Sequence, residues 1–390
     1  MILYFTSIVA ALVSVLGWGY LLGATLLTRR LERRPQSIGQ ITTSGVTILK
    51  PLHGAEPGLF ENLVSFCTQD YPGPVQIVFG VQDTRDGAIA IVDRLRAEFP
   101  NRHFDLVVDS TMHGLNRKVS NLVNMEQRAQ HEIVVVSDSD MRVDPHYLSR
   151  VVAALDPPRI GAVTCLYYGC GATGVWSGMG ALGINAHFLP SVVVGLGLKL
   201  AKPCFGSTIA FKRSALDEIG GFRSVADCLA DDYAVGAALR KRGYDIAVSP
   251  FTIGHVCAET SASDLWQHEL RWSRTIRAID PGGHAGSVVT HAFPFALLAA
   301  MAGLAAASIA PSIAAALVLG SLGCRLALLR QVERSFDLPA QAYWLVPPRD
   351  LLSFAVFMSS FFGRQASWKG RRYSFISDGT LVAAGGPSTP

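Results

Sequence analysis

Two carboxylates are separated by one serine in Asp138-Ser139-Asp140, directly after the apolar run Ile133–Ser137. Such a run is typical of a buried strand, and side chains that follow a strand end can converge on one ligand. Mg²⁺ and Mn²⁺ prefer carboxylate oxygens and would share such a site with the diphosphate oxygens of a nucleotide. The pattern predicts a metal site with Asp138 and Asp140 as ligands, although the triplet also occurs as a plain turn or helix cap.

Two further side chains have the chemistry to contact the same ligand. Asp83 follows the apolar run Val75–Val81 and would either cap the next helix or hydrogen-bond a nucleoside base or ribose. Lys118 ends the polar loop 109–118 and would either contact a phosphate or remain a solvated surface lysine. The residue types alone leave both alternatives open.

An acidic pair, Asp231 and Asp232, precedes a helix that we expect to end near Arg242. Acids at a helix N-terminus commonly stabilise the helix dipole. A base that deprotonates a hydroxyl nucleophile also needs a carboxylate close to the reacting atoms. Asp232 therefore has a structural and a catalytic interpretation.

A polar helix is predicted over Ser263–Ile276. It carries Gln267, His268, Arg271 and Trp272, and the spacing of three and four residues places several of them on one face. The same composition is typical of an amphipathic helix that lies on a membrane surface. The two interpretations are compatible.

The elements that would position these residues alternate between strand and helix. The predicted strands are Val46–Leu52, Val75–Val81, Phe104–Val108, Ile133–Ser137 and Ile160–Leu166. The predicted helices between them are Leu59–Thr68, Ala88–Phe99, Val119–Arg128 and Pro145–Leu155. This alternation indicates an α/β domain with a mostly parallel sheet, whose ligand binds at the carboxyl ends of the strands.

Apolar segments flank this domain. The segment Ile2–Leu27 has no charged residue and exceeds the roughly 20 residues that cross a bilayer core. The basic run Arg29–Arg34 follows it, so the positive-inside rule places the N-terminus outside and the rest in the cytoplasm. Two further spans are expected over Ser287–Ala310 and Ser312–Leu329.

A third C-terminal apolar segment, Leu351–Phe362, is too short to cross comfortably and has basic flanks, which favours an interfacial or re-entrant helix. The expected organisation has four parts. These are an anchor over 1–28, a cytoplasmic domain over 29–286, a membrane region over 287–365 and a basic cytoplasmic tail over 366–390.

The charge distribution, the cysteine spacing and the glycine pattern argue against several protein classes. The net charge of +4 arises from basic residues beside apolar spans, without the basic and aromatic stripe of a nucleic-acid groove, so no nucleic-acid partner is expected. The 7 cysteines show no zinc-finger spacing. No Gly-rich dinucleotide fingerprint or P-loop sequence follows a predicted strand, which disfavours a nicotinamide dehydrogenase and a P-loop ATPase.

Taken together, the motifs resemble the ceramide glucosyltransferase family, glycosyltransferase family 21, which has a GT-A fold. The similarity is greatest to bacterial members associated with hopanoid lipid biosynthesis. It rests on these ordered segments: Leu49–Gly54, Val81–Asp83, Asn116–Lys118, Asp138–Asp140, Cys204–Thr208, Asp231–Tyr233 and Arg271-Trp272.

The resemblance implies roles for individual residues. Asp83 would contact the uridine, the Asp138 region would bind metal and diphosphate, and Asp232 would be the catalytic base. The Arg271-Trp272 helix would close the acceptor side, with Arg271 and Trp272 as catalytic residues. His268 and His187 would lie near the lipid acceptor, although His187 has a structural alternative.

Two departures from the family pattern affect these assignments. The position three residues before Arg271, usually Gln or Arg in the family, is His268 here, while Gln267 is displaced by one. Some relatives keep only the first acid of the Asp138 motif, which leaves the contribution of Asp140 open.

The resemblance implies a metal-dependent, inverting transfer of a sugar from a UDP-sugar to a lipid hydroxyl. The acceptor and sugar expected first are bacteriohopanetetrol and N-acetylglucosamine, from UDP-GlcNAc. Glucose transfer from UDP-glucose to ceramide is the alternative, followed by a processive polysaccharide synthase and a non-catalytic membrane scaffold. The expected location is a bacterial inner membrane, crossed several times, with the catalytic domain in the cytoplasm.

Overall fold

The computed structural model describes residues 1–32, 43–172, 174–363, 365–368, 371–375 and 380–382. The chain divides into two compact units. We call one the helical unit, formed by Met1–Arg34, Thr173–Lys202 and Glu259–Tyr373. The other is the sheet unit, formed by Pro35–Ala172, Pro203–Ala258 and Ser374–Pro390.

Helices and strands are numbered in chain order. The strands are β1 Val46–Pro51, β2 Val75–Val81, β3 His103–Val108, β4 Ile133–Ser137, β5 Met141–Arg142, β6 Ile160–Gly171, β7 Thr208–Lys212, β8 Asp245–Cys257, β9 Gln365–Trp368, β10 Arg371–Phe375 and β11 Leu381–Val382. The helices are α1 Ile2–Glu32, α2 Leu59–Cys67, α3 Ala88–Glu98, α4 Arg117–Glu126, α5 Tyr147–Leu155, α6 Gly174–Gly183, α7 Leu189–Gly197, α8 Arg213–Glu218, α9 Asp231–Lys241, α10 Ala262–Ile279, α11 Pro281–Gly286, α12 Ala292–Ala305, α13 Pro311–Ser335 and α14 Val346–Ser360.

The sheet unit is built on eight strands in the order β3-β2-β1-β4-β7-β6-β8-β5. The four strands β3, β2, β1 and β4 are parallel, as the alternating pattern predicts. Strand β7 runs antiparallel to both β4 and β6, and β5 runs antiparallel to β8. The sheet is therefore mixed in its second half, which the prediction of a mostly parallel sheet missed.

Continuous β-branched sequence explains the centre of this sheet. All five residues of β4 are buried, as are five of the six residues of β1, because helices cover both faces of a parallel sheet. Strand β6 is five residues longer than predicted, since Tyr167–Gly171 continues the pairing with β8. Its polar and glycine residues conceal that continuation in the sequence.

The helical unit contains the apolar segments. Among the described residues, three helical segments are long and apolar enough to cross a membrane: Ile2–Leu31, Gly174–Gly197 and Pro311–Ser335. A bent pair, Pro281–Thr290 and Ala292–Ala305, meets at 61° and would make a fourth. The predicted Ser287–Ala310 span is therefore broken.

Small and hydroxyl-bearing residues mediate packing between these helices, as is common in membranes. Ser14 Oγ and Ser321 Oγ are 3.0 Å apart, and Trp18 Nε1 donates to Ser321 Oγ at 2.7 Å. Ser7 Oγ donates to Ala299 O at 3.1 Å. These hydrogen bonds connect α1 to α12 and α13, which are distant from it in the sequence.

The compact units differ from the predicted boundaries in one respect. Segments 173–202 and 259–286, which lie inside the predicted 29–286 domain, belong to the helical unit. The apolar segment Gly174–Gly197 was not predicted as a candidate span, because polar residues such as Asn185 and His187 interrupt it. The predicted short helix over Leu351–Phe362 corresponds to α14, and its interfacial placement stays a prediction. Most of the predicted 366–390 tail lies outside the described residues.

Candidate functional site

The carboxyl ends of three parallel strands bring predicted site residues to one edge of the sheet unit. Val81, at the end of β2, is in register with Val108, at the end of β3. Leu49 in β1 is in register with Val136 in β4, so the residues that follow β4 lie at that same edge. Asp83 follows β2 and Asp138 follows β4, the two strands that flank β1, so both residues lie at this edge of the sheet, as the strand pattern predicts.

Asp138 forms an ion pair with Lys118. Lys118 Nζ lies 2.5 Å from Asp138 Oδ1, and the side chains are 15% and 33% exposed. Burial alone would lower the pKa of Lys118, but the charges of Asp138 and Asp231 outweigh it and raise that pKa. Lys118 is thus a fixed cation at the sheet edge rather than a solvated surface lysine.

The loop before Lys118 is held by Asn116. Its side chain accepts a hydrogen bond from Val119 N at 3.2 Å, which caps α4, and donates to Cys228 O at 2.9 Å. Asn116 Nδ2 also reaches Asp231 Oδ1 at 3.4 Å. The segment Asn116–Lys118 therefore connects the acidic start of α9 with the residue that pairs with Asp138.

Lys50, a residue of β1 that the motifs did not single out, contacts the same loop. It is fully buried and its Nζ donates to Asp138 O at 2.6 Å and to Ser137 Oγ at 3.4 Å. The ammonium also lies 3.7 Å from the centre of the Phe66 ring. Burial lowers the pKa of Lys50 to about 7, although the neighbouring carboxylate of Asp138 opposes the shift. One lysine inside an apolar strand was the signal that could have identified it.

Asp140 and Ser139 continue the acidic loop. Asp140 Oδ1 lies 3.8 Å from His255 Nδ1, and its side chain is 36% exposed. Ser139 Oγ donates to Glu56 Oε2 at 2.8 Å. The loop is therefore ordered by side chains from two other segments of the sheet unit.

The Asp138 and Asp140 carboxylates fit a hard divalent cation by the type of their donor atoms and by their partial exposure. In the part of the chain that the structure describes, no cluster of three or more His, Cys, Asp or Glu side chains could hold a metal by itself. Asp138 and Asp140 would supply two of the ligands of such a cation. A phosphate-bearing molecule and water would supply the rest.

Asp232 is fixed by two backbone groups. Gly206 N donates to its Oδ2 at 2.7 Å and Tyr233 N donates to its Oδ1 at 2.8 Å. A Cβ at Gly206 would lie 3.1 Å from that same Oδ2, so a larger residue there would press on the Asp232 carboxylate. Burial, and then the charge of Asp231, raise the pKa of Asp232 to about 6. This carboxyl can exchange a proton near neutral pH.

A narrow cavity lies beside Lys118 and Asp232. Lys118, Gly206, Asp231 and Asp232 line its polar side, and apolar residues of the sheet unit line the remainder. The structure thus brings together the Lys118–Asp138 pair and the acidic start of α9 within one unit. Asp231, which the sequence pattern assigned only to the start of a helix, belongs to this group through its influence on Lys118 and Asp232.

Asp83 is more exposed than the other acids of the sheet edge. Its Oδ1 accepts from Arg85 N at 2.9 Å, which is a local turn interaction, and its side chain is 58% exposed. The preceding Gln82 accepts from Arg117 Nε at 3.2 Å through Oε1. Asp83 does not cap the next helix as the alternative interpretation expects, since the N-cap position of α3 is Gly87, while a contact with a nucleoside stays a prediction.

The remaining predicted residues belong to the helical unit. His187 lies on a π-helical turn, Ile184–Phe188, and its Nε2 is 2.8 Å from Asp350 Oδ1. Arg325 Nε donates to Asp350 Oδ2 at 3.1 Å and its Nη1 donates to Ala186 O at 2.8 Å. The structural interpretation of His187 thus has direct support, and π-helical turns are also frequent at functional sites.

The side chains of Gln267 and His268 contact different partners on helix α10. Gln267 Nε2 donates to Ser263 Oγ at 2.9 Å on the exposed side of the helix. His268 Nδ1 lies 2.6 Å from Glu259 Oε1, and the His268 ring packs on Trp272 with centroids 4.2 Å apart. Within the helical unit, His268 rather than Gln267 is therefore the side chain that contacts the Arg271-Trp272 motif.

Comparisons with known proteins agree on the fold. A mannosyltransferase from Pyrobaculum calidifontis, solved in complex with GDP-Man and Mn²⁺, superposes with a TM-score of 0.57 at 21% identity. The superposition covers 92% of this chain and 99% of that one. The expected GT-A type α/β fold is thereby confirmed.

Curated proteins with similar sequences are named ceramide glucosyltransferases. Ceramide glucosyltransferase 1 of Caenorhabditis elegans is 27% identical over 243 residues, which are 62% of this chain and 51% of that protein. Ceramide glucosyltransferase of Candida albicans is 30% identical over 136 residues, which are 32% of this chain and 25% of that protein. The chain therefore spans about half the length of the Caenorhabditis elegans protein and about a quarter of the Candida albicans protein.

The family model described as "Glycosyl transferase family 21" matches residues 9–381, nearly the whole sequence. The match includes the Lys118–Asp138 pair, Asp232 and the Arg271-Trp272 motif. The chain belongs to glycosyl transferase family 21.

Proposed function

We propose that this protein transfers a sugar from a UDP-sugar to a hydroxyl group of a membrane lipid, with inversion at the anomeric carbon. The observation that carries the proposal is the carboxyl of Asp232, which two backbone N–H groups hold in place and whose pKa of about 6 suits a general base. It lies in the same unit as the Lys118–Asp138 ion pair, and one cavity is lined by both Asp232 and Lys118.

The proposed reaction is a single displacement. The lipid hydroxyl oxygen attacks the anomeric carbon and forms the new C–O bond, while the bond from that carbon to the diphosphate breaks. Asp232 accepts the hydroxyl proton, and the diphosphate leaves with the bonding electron pair. One attack from the face opposite the leaving group inverts the configuration.

Lys118 and Asp138 would bind the donor. Asp138 and Asp140 would hold a divalent metal together with the diphosphate, and the metal would neutralise charge that develops on the departing nucleotide. Lys118 keeps its proton at neutral pH, so it orients the Asp138 carboxylate. The structural relative solved with Mn²⁺ and a nucleotide sugar is in keeping with a divalent metal.

Further roles follow from the family resemblance. Asp83 is proposed to contact the uridine, and Arg271 is proposed to compensate charge on the diphosphate. Trp272, His268 and His187 are proposed to contribute to acceptor binding. The apolar helices of the helical unit support a lipid acceptor and a membrane location. A bacterial inner membrane and a cytoplasmic catalytic face stay predictions.

The named relatives favour ceramide over a hopanoid as the acceptor. Both curated relatives described above are ceramide glucosyltransferases, so we propose glucose transfer from UDP-glucose to ceramide as the first specific activity to test. N-acetylglucosamine transfer to bacteriohopanetetrol rests on the sequence resemblance alone and is the second candidate.

A product survey tests the proposed function. The purified protein is incubated with UDP-glucose or UDP-GlcNAc, with ceramide or bacteriohopanetetrol, and with Mg²⁺ or Mn²⁺, and the lipids are weighed by mass spectrometry. We expect a lipid heavier by one sugar residue in at least one combination and none after chelation of the metal. Release of free sugar without any glycolipid in every combination would contradict the proposal.

The pH dependence of transfer tests the role of Asp232. A general base acts only when deprotonated, so kcat/KM should rise with pH through about 6. The Asp231→Asn variant removes a negative charge that helps to raise this pKa, so the acid limb should move to lower pH. The measurement is a pH–rate profile of both proteins, and a limb at the same pH in both would exclude the electrostatic coupling.

A further inference from the structure

A histidine and a carboxylate form a close pair at the start of α10. His268 Nδ1 lies 2.6 Å from Glu259 Oε1, and the side chains are 27% and 9% exposed. The His268 ring also contacts the Trp272 ring, at a centroid separation of 4.2 Å and an interplanar angle of 59°. One imidazole thus contacts a nearly buried carboxylate and an aromatic ring within the helical unit.

The segment that carries Glu259 is ordered by the cap of α10. Ser261 Oγ accepts from Asp264 N at 3.1 Å, and Thr260 Oγ1 donates to Asp264 Oδ2 at 2.8 Å. These bonds fix the chain on the C-terminal side of Glu259. The carboxylate is therefore presented to His268 by ordered backbone.

The two contacts restrain different properties of the imidazole. Packing on Trp272 restricts the plane of the ring, but a ring flipped by 180° would pack in a similar way. The contact with Glu259 distinguishes the two nitrogens, because a carboxylate accepts a hydrogen bond from a protonated Nδ1 and repels an unprotonated one. A carboxylate behind a functional imidazole fixes both its tautomer and its orientation.

We propose that Glu259 is a positioning residue that holds His268 with Nε2 directed to the polar head group of the lipid acceptor. The assignment of this ligand rests on the proposed function. Gln267 lies on the exposed side of α10, where its amide donates to Ser263 Oγ at 2.9 Å. The chain would thus use a histidine and a distant glutamate where the family usually has a single Gln or Arg.

Kinetics of Glu259 variants test this proposal. Glu259→Met has a similar volume and removes the hydrogen-bond acceptor, so the KM for the acceptor should rise about 10-fold while the KM for the UDP-sugar stays within twofold. Glu259→Gln keeps an oxygen acceptor, so its KM for the acceptor should lie between the values of the wild type and Glu259→Met. Gln267→Ala, on the same helix, should match the wild type in both constants.

A double-substitution cycle separates positioning from general stability. His268→Gln removes the imidazole, so adding Glu259→Met to that variant should change the acceptor KM by less than twofold. An equal loss in both backgrounds, or a Glu259→Met protein with the wild-type acceptor KM, would overturn the proposal.

Histidine NMR keeps this test independent of turnover. In ¹⁵N-histidine protein without substrate, the His268 signals are identified by their loss in His268→Gln. We expect the Nδ1-protonated tautomer in the wild type and a shift toward the Nε2-protonated form in Glu259→Met. If no lipid is glycosylated, the proposed function fails, yet unchanged His268 signals in Glu259→Met would separately show that Glu259 does not position the ring.

Discussion

Asp232→Asn is expected to reduce transfer about 10²–10⁴-fold, the usual contribution of a general base. An amide has the size of the carboxyl group and keeps an oxygen that can accept from Gly206 N, but it takes no proton from a hydroxyl. The donor should bind as before, because Lys118 and Asp138 are unchanged. Initial rates and the dissociation constant of the UDP-sugar, measured on the same preparation, test both statements.

The control for this substitution is Asp245→Asn. Asp245 is an exposed acid at the start of β8, and its Oδ2 lies 3.6 Å from Arg159 Nε. Exposed ion pairs contribute little to stability, so this variant should behave like the wild type. Near-normal turnover of Asp232→Asn would show that another group accepts the proton.

Asp138→Asn is expected to lower transfer about 10²–10³-fold through weaker donor and metal binding, the range seen when one electrostatic contact to the reacting centre is lost. The change removes the negative charge that pairs with Lys118 and leaves that cation, together with Lys50, without its nearest counter-charge. The required metal concentration and the KM for the UDP-sugar should both increase. Metal titrations of the initial rate measure these changes.

Asp140→Asn should have the smaller effect of the two, because Asp140 Oδ1 lies 3.8 Å from His255 Nδ1, whereas Asp138 Oδ1 lies 2.5 Å from the Lys118 ammonium. The control is Asp93→Asn, an exposed acid on α3 that pairs with Arg96. Equal metal requirements in Asp138→Asn and Asp93→Asn would contradict a metal site at this loop.

Much of the sheet edge could be predicted from the sequence. Buried parallel strands are rich in β-branched and other apolar residues, so β1, β2 and β4 are visible as mostly apolar runs and the residues after them are easily located. The register of the parallel strands then places Asp83 and Asp138 at one edge without further information. Strand β7 escaped prediction because it follows an irregular segment, which hid the antiparallel pairing with β4.

The supporting residues were harder to predict, because their partners are distant in the sequence. Lys50 lies 88 residues from the carbonyl of Asp138 to which it donates. Glu259 precedes His268 by nine residues, and the turn between β8 and α10 brings the two side chains together. Helical phase directs Gln267 and His268 to different neighbours, which spacing alone did not resolve.

The configuration of the product tests the central claim most directly. The wild-type protein is incubated with the UDP-α-sugar and the lipid that give product in the survey, and the anomeric configuration of the purified glycolipid is determined by NMR. A single displacement with Asp232 as base predicts a β-linked sugar. An α-linked product would contradict the proposed mechanism, because it requires retention of configuration.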